Sequence, residues 1–340
     1  MRTFPTPRGH IWSRPRALAA LAAVVAISLP PAVTGDEGSN QQALELITDT
    51  PGLVGFWDFS EPAGEPRVSR DTPAAHALKE VNSAVPRIDE GPLSGHSARF
   101  DGSHFLRIEH DDTGDLDIHG PGAAVSMIAL VRLPRITGAG MVAGMWYEGE
   151  GRDDRSGSRQ YGLLLNTPAY GGPDRVTPHV SSEGGPSRRA DGSWLPWCVD
   201  YAVNVSPIAL NEWVSVGFTY DGEVLKAYYN GVMEPREVDP ETDRRTDRYF
   251  YETPDGSHRG MNPYYHGRGL FRYDPEIHAG EKPAGGSDFT VFASYAVGRI
   301  RTLEGDIGGL AVFNRALSGD EMQAIHNAAL GVAEAPGDEP

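Results

Sequence analysis

The chain has 340 residues, 47 acidic against 30 basic side chains, a formal net charge of −17 and one cysteine, Cys198. A single cysteine excludes a disulfide framework and a cysteine-rich zinc site. The acidic balance argues against a protein that grips nucleic acid through its phosphates, because that takes clustered Lys and Arg. Hydrophobic content of 39% with 23% charged residues indicates a folded globular chain, and 41 glycines with 27 prolines favour turns over long helices. The basic residues are skewed: Lys79, Lys226 and Lys282 are the lysines and the rest are arginines, whose planar forks suit carboxylate and sulfate groups.

The first stretch reads as an address. Arg2, Arg8, Arg14 and Arg16 form a basic region without acids, Ala17 to Leu29 form an apolar run, and Val33 and Gly35 fit a small-residue cleavage site. The apolar run is shorter than the about 20 residues a bilayer span needs. Residues 1–35 are therefore expected to be a secretory signal peptide cleaved near Gly35, and the protein to be secreted or periplasmic with no membrane span. Residues 36–50 are polar and are expected to be a disordered lead.

From residue 51 onward, short apolar runs alternate with Gly, Pro, Asp and Asn clusters, the pattern of an all-β chain. Strands are expected at 53–59, 97–102, 104–110, 124–133, 141–147 and 160–166. Further strands are expected at 197–205, 212–220, 223–231, 289–298 and 308–314. In WVSVGFTY, Val214, Val216, Phe218 and Tyr220 share one face, and Asp221-Gly222 then marks a tight hairpin turn. One helix follows near the end. Ser318 is its N-cap and Glu321 completes a capping box, Met322, Ile325 and Leu330 lie near one face, and Gly331 ends it. Residues 331–340 are expected to fray. No linker divides 51–330, which predicts a single all-β domain: a two-sheet antiparallel jelly-roll sandwich with a short C-terminal helix and a long loop insertion.

Four segments bear a family resemblance. LVGFWDFSE opens the domain, SARFDGSHFLRI follows, NEWVSVGFTYDGEVLKAYYNG forms a Trp-containing hairpin, and GDIGGLAVFNRALSGDEMQAIH closes it. In this order, across residues 52–327, the chain resembles the secreted bacterial branch of the laminin-G-like, concanavalin A-like lectin/glucanase superfamily. The resemblance implies the jelly roll and a carbohydrate-related role. It does not fix an activity, since that superfamily holds lectins, adhesion modules, hydrolases and lyases. Relatives often carry an Asp pair in the last strand, where this chain has Gly308 and Gly309; Asp306 is the remaining acid there.

Five stretches hold candidate chemistry. The first is an insertion, 233–286, longer than a compact domain ordinarily tolerates without a role. It combines aromatics that stack on sugar rings with arginines that fork onto hydroxyls and anions, and Tyr249, Tyr251, Arg259, Tyr264, Tyr265 and Arg268 are its candidate ligand contacts. The Gly- and Arg-containing stretch 182–197 adds Trp194 as a sugar platform. In WYEGEGRDDR, Glu148, Glu150 and Asp153 resemble in spacing the catalytic strand of laminarinase-type glucanases with Asp and Glu exchanged, although the interleaved glycines favour an acidic turn. In DDTGDLDIHG, Asp111, Asp115 and Asp117 are calcium candidates, joined by Asp306, although an acidic loop has the same composition. Finally, Arg259, Tyr264, Tyr265 and His266 supply the residue types a uronate lyase uses to screen a carboxylate and move a proton.

The leading expectation is a lectin-like protein recognising an extracellular glycan through rim loops. The alternatives are a lyase or hydrolase on an anionic glycan, and an adhesion module. Calcium is the one cofactor the sequence suggests.

Overall fold

The computed structural model describes residues 37–149, 157–167, 172–181, 184–185, 198, 200–234, 251–252, 258–259, 264–266, 270, 287–296 and 298–331. The segment expected to be a disordered lead begins with a helix, α1 (Glu37–Asp49). The reason is packing: Ala43 and Ile47, one helical turn apart, are buried against the rest of the chain.

In chain order the strands begin with β1 (Leu53–Trp57), β2 (Arg67–Val68), β3 (Ala77–Val81), β4 (Arg87–Ile88), β5 (Ser97–Asp101) and β6 (Phe105–Ile108). Two short 3-10 turns separate these from β7 (Val125–Arg132), β8 (Gly140–Tyr147), β9 (Ser158–Thr167), β10 (Gly172–Val176) and β11 (His179–Val180). The hairpin β12 (Trp213–Tyr220) and β13 (Val224–Tyr229) follows, then β14 (Tyr251–Glu252), β15 (His258–Arg259) and β16 (Tyr264–His266). The last strands are β17 (Phe289–Val291), β18 (Ala293–Ala296), β19 (Arg299–Thr302) and β20 (Glu304–Phe313), and α2 (Gly319–Leu330) closes the chain.

Among the described residues these strands build two large sheets. The first runs β16-β13-β12-β7-β20-β5-β4, with β1 also paired to β20, and the second runs β10-β9-β8-β17-β6-β3-β2 with β11, β18 and β19 at its side. Pairing is antiparallel except for one parallel contact between Tyr295 and Tyr147. Residues of both sheets form one core, including Met127, Ala129, Val131, Val216 and Phe218 from the first and Leu106, Met145, Tyr161 and Phe289 from the second. The fold is thus a β-sandwich held by sheet packing.

The β12 alternation is as expected: Val214, Val216, Phe218 and Tyr220 are all buried in that core. The turn after it works through Asp221, whose Oδ1 accepts from the backbone N–H of Glu223 and Val224, while Gly222 takes φ +95°. Strand β7 is apolar on both faces because both are covered. Its outer residues Ile128 and Leu130 join a second cluster with Ala43 and Ile47 of α1 and Met322, Ile325 and Ala329 of α2.

The α2 capping box forms as the sequence predicts, with Ser318 and Glu321 exchanging hydrogen bonds, and Gly331 caps the far end at φ +65°. Leu330 is only partly buried, and His326 takes the inward place instead. Two strands differ from expectation. The 289–298 run is broken at Phe292 into β17 and β18. Of 197–205, the described residues make only an isolated bridge, Tyr201 to His179.

Candidate functional site

The outer face of the first sheet changes character beyond the helices. Along β7 the outward positions run Ile128, Leu130, Arg132, so the apolar stripe ends in a charge. Four neighbouring strands place a residue in the same row. Arg99 of β5 is opposite Asp306 of β20, Asp306 is opposite Arg132 of β7, and Arg132 is opposite Trp213 of β12. A bulge in β20 between Ile307 and Gly309 makes this possible, because the extra residue lets Asp306 face outward while Leu310 and Val312 still face the core. Gly308 sits at the bulge, where a Cβ would stand 3.2 Å from the Trp213 ring.

The row is tied together by charge-assisted hydrogen bonds. Arg99 donates through Nε to Asp306 Oδ1 at 2.8 Å and through Nη2 to Oδ2 at 3.1 Å. Arg132 donates to Oδ2 through Nε at 3.0 Å and Nη2 at 2.8 Å. The Asp306 side chain is only 7% exposed, so this carboxylate is fixed in place by two forks. Arg132 also reaches Glu90 at 2.7 Å and lies 5.0 Å above the Trp213 ring. The hydrogen bond to Asp306 raises the Arg99 pKa. Burial alone would lower that of Arg132, yet its bonds to Glu90 and Asp306 raise it on balance.

A cavity of about 480 Å³ opens over this row, with Glu90, Arg99, Asp101, Arg132, Asn211 and Glu304 among its lining residues. Gly305 lines it too, at φ +146°, and a Cβ there would stand 2.7 Å from the Arg132 carbonyl oxygen. The Nη1 groups of Arg99 and Arg132 donate to no acceptor among the described residues. The walls therefore combine directed donors with carboxylate acceptors.

A second polar group lies on the outer side of β8, β9 and β11. Trp146 donates from Nε1 to Glu148 at 3.1 Å, its ring meets His179 edge-on at 5.6 Å, and His179 stacks on Tyr201 at 5.3 Å. Arg159, Asp200 and Tyr201 are buried with them. Burial pushes the His179 imidazole down to about 4, and the Nδ1 contact with the Thr177 carbonyl at 2.8 Å makes Nδ1 the protonated nitrogen of the neutral ring. Cys198 is buried nearby with Met141, Trp146 and Leu164.

The sequence candidates are scattered across the fold. Tyr264, Tyr265 and His266 form β16, opposite Lys226, Leu225 and Val224 at the edge of the first sheet beyond β12 and β13. Tyr251 and Arg259 face each other in the small β14-β15 pair. Trp194, Tyr249, Arg268 and Glu150 lie outside the described residues. The aspartates of the 111–120 loop diverge: Asp111 is exposed, Asp115 pairs with His76 at 2.6 Å, and Asp117 accepts from Gln160 at 2.8 Å. Asp306, the fourth calcium candidate, has both oxygens taken by arginines. Among the described residues no group of three or more His, Cys, Asp or Glu side chains is placed to hold a metal.

Sequence reasoning missed Arg99, Arg132, Glu90 and Asp101. Their signal is faint: a charge at an outward position near the end of an otherwise apolar strand, as Arg132 is in AVSMIALVRL.

The chain matches no protein-family description, and no curated protein matches it either. Solved structures offer distant likenesses. A mutant of Trypanosoma rangeli sialidase with trans-sialidase activity aligns at 11% identity and TM-score 0.45, over 87% of this chain and 38% of that one. The sialidase in complex with sialic acid aligns at 13% and 0.45, over 85% and 37%. Domain 4 of a GH43 extracellular arabinanase from Geobacillus stearothermophilus, in complex with arabinotriose, aligns at 12% and 0.39, over 81% and 98%. The chain spans well under half the length of the sialidases, and at these scores the likenesses assign neither family nor activity.

Proposed function

We propose that the protein is an exported, lectin-like jelly roll of the concanavalin A type, and that the cavity over Arg99, Asp306 and Arg132 is a glycan subsite. One observation carries the reading: a cavity of about 480 Å³, within the usual range of small-ligand sites, is walled by donors and acceptors held in fixed geometry. A sugar hydroxyl both donates and accepts, so neighbouring hydroxyls match an arginine edge beside a carboxylate. Because Asp306 and Glu90 are paired with the arginines, the centre of the row suits a polyol better than a free anion. The leader of residues 1–35 supports export. The contacts expected at Tyr249, Tyr251, Arg259, Tyr264, Tyr265, Arg268 and Trp194 form a separate proposal, because β16 joins the hairpin at its Tyr220 end and the arginine row crosses β12 at its Trp213 end.

Affinity electrophoresis of the intact protein through a panel of neutral and charged polysaccharides tests the proposal. Retardation by at least one glycan is expected. Arg99→Gln, which leaves Arg132 on Asp306, should weaken that retardation roughly tenfold while the melting temperature changes little. Retardation unchanged in this variant contradicts the assignment.

The group around Glu148, Arg159, His179 and Asp200 supports a second reading, an enzyme acting on an anionic glycan, because buried Arg159 and Asp200 and half-buried Glu148 are arranged there around a neutral imidazole. The same panel separates the two. Lyase chemistry yields an ultraviolet-absorbing unsaturated product, hydrolysis yields reducing ends, and binding alone yields neither.

A further inference from the structure

The cavity is not electrically symmetric. Its centre, Arg99 and Arg132 with Asp306 and Glu90, is self-neutralised, but one rim is acidic. The next outward position along β5 from Arg99 is Asp101, and the next along β20 from Asp306 is Glu304. These two carboxylates are direct cross-strand partners on the same face. Like charges directly opposite each other are unfavourable, so positive charge nearby stabilises the pair. Glu304 has Arg135, which donates to it at 2.8 Å. Asp101 has no arginine or lysine within ion-pairing distance among the described residues. Its Oδ1 accepts from the backbone N–H and hydroxyl of Ser103, at 2.8 and 2.6 Å, and lies 3.4 Å from His104 Nδ1. The Ser103 hydrogen bonds hold its pKa below the ordinary carboxylate value, so it is charged at neutral pH. The side chain is 67% exposed and lines the cavity.

We infer that the sugar taken by this cavity bears a protonated amine: Arg99 and Arg132 engage its hydroxyls, and the ammonium lies against Asp101 beside Glu304. The inference rests on the glycan reading above and narrows it to glycans with free amino groups. Two further points agree. The arginines already hold Asp306 and Glu90, so a uronate carboxylate entering here meets acids whose positive partners are committed. The whole chain, at −17, attracts polycations and repels polyuronates over distance. A divalent metal fits less well, since calcium takes six or more oxygen ligands and no cluster of three or more candidate metal ligands occurs among the described residues.

The test uses the intact protein, a β-1,4-linked glucosamine oligomer, the same oligomer fully N-acetylated, and a polyuronate oligomer of equal length, titrated calorimetrically at low and moderate salt. The free-amine oligomer should bind roughly tenfold tighter than the acetylated one, and added salt should erode that margin. Asp101→Asn should abolish the margin between the two oligomers, with a thermal melt confirming the fold. Equal affinity for both oligomers, a preference for the polyuronate, or binding that disappears on chelation each overturns the inference. If the acetylated oligomer or another neutral glycan binds in those cases, the glycan reading survives. Binding of no glycan overturns both.

Discussion

At the residue scale, Asp306 decides most about the site. A carboxylate bonded to two guanidinium groups at 2.8–3.1 Å offsets the cost of its own burial, and it also keeps Arg99 and Arg132 from repelling each other. Asp306→Asn should therefore destabilise the fold by about 1–3 kcal/mol, since it removes the charged acceptor that two partly exposed guanidinium groups share. Urea denaturation measures this, and a loss below about 1 kcal/mol would show that the row is solvated surface charge. The other informative residue is His179. Burial lowers its pKa from 6.5 to about 4, so between those values the unfolded chain binds a proton that the folded chain does not. Its contribution to stability is whole above about pH 6.5 and is lost as pH falls toward 4. Melting temperatures across that window should fall, and should fall less steeply in His179→Gln. Parallel curves for the two proteins would remove His179 as the cause. Neither role was legible in the sequence: Asp306 reads there as a metal candidate, because nothing local announces that Arg99, 207 residues away, supplies its counter-charge.

At the element scale, reading succeeded where local chemistry sets the structure. The β12–β13 hairpin follows from strict alternation and an Asp-Gly turn, and α2 follows from Ser318 and Glu321. Ser318→Ala should cost about 1 kcal/mol of stability in chemical denaturation, the usual value of an N-cap; no change would mean that α2 is held by packing alone. Reading failed where a neighbour decides. Helix α1 has few apolar residues, and its order comes from Ala43 and Ile47 docking on a surface built by α2 and the first sheet. Ile47→Ala should cost about 2–5 kcal/mol, as for other buried large-to-small changes. A negligible cost would restore the expectation of a loose lead. The bulge in β20 was equally hidden. Gly308-Gly309 reads as a missing acid pair, whereas its effect is to reverse the side-chain parity and turn Asp306 outward.

At the scale of the whole molecule, alternating short strands were enough to predict two packed sheets, because burial of one face enforces the period-two pattern wherever a strand forms. The site was not readable in the same way. Its row crosses four strands that the chain visits at residues 99, 132, 213 and 306, and register across strands is a property of the assembled sheet. The insertion and the 182–197 stretch drew attention by composition. The arginine row of the cavity instead lies on paired strands, which suits a recognition surface that must hold its geometry. The most direct measurement is a crystal structure of the intact protein with the oligosaccharide that retards it most. A sugar ring is expected in the cavity, its hydroxyls within hydrogen-bond distance of Arg99 and Arg132; a sugar bound elsewhere, with this cavity empty, would rule out the glycan subsite.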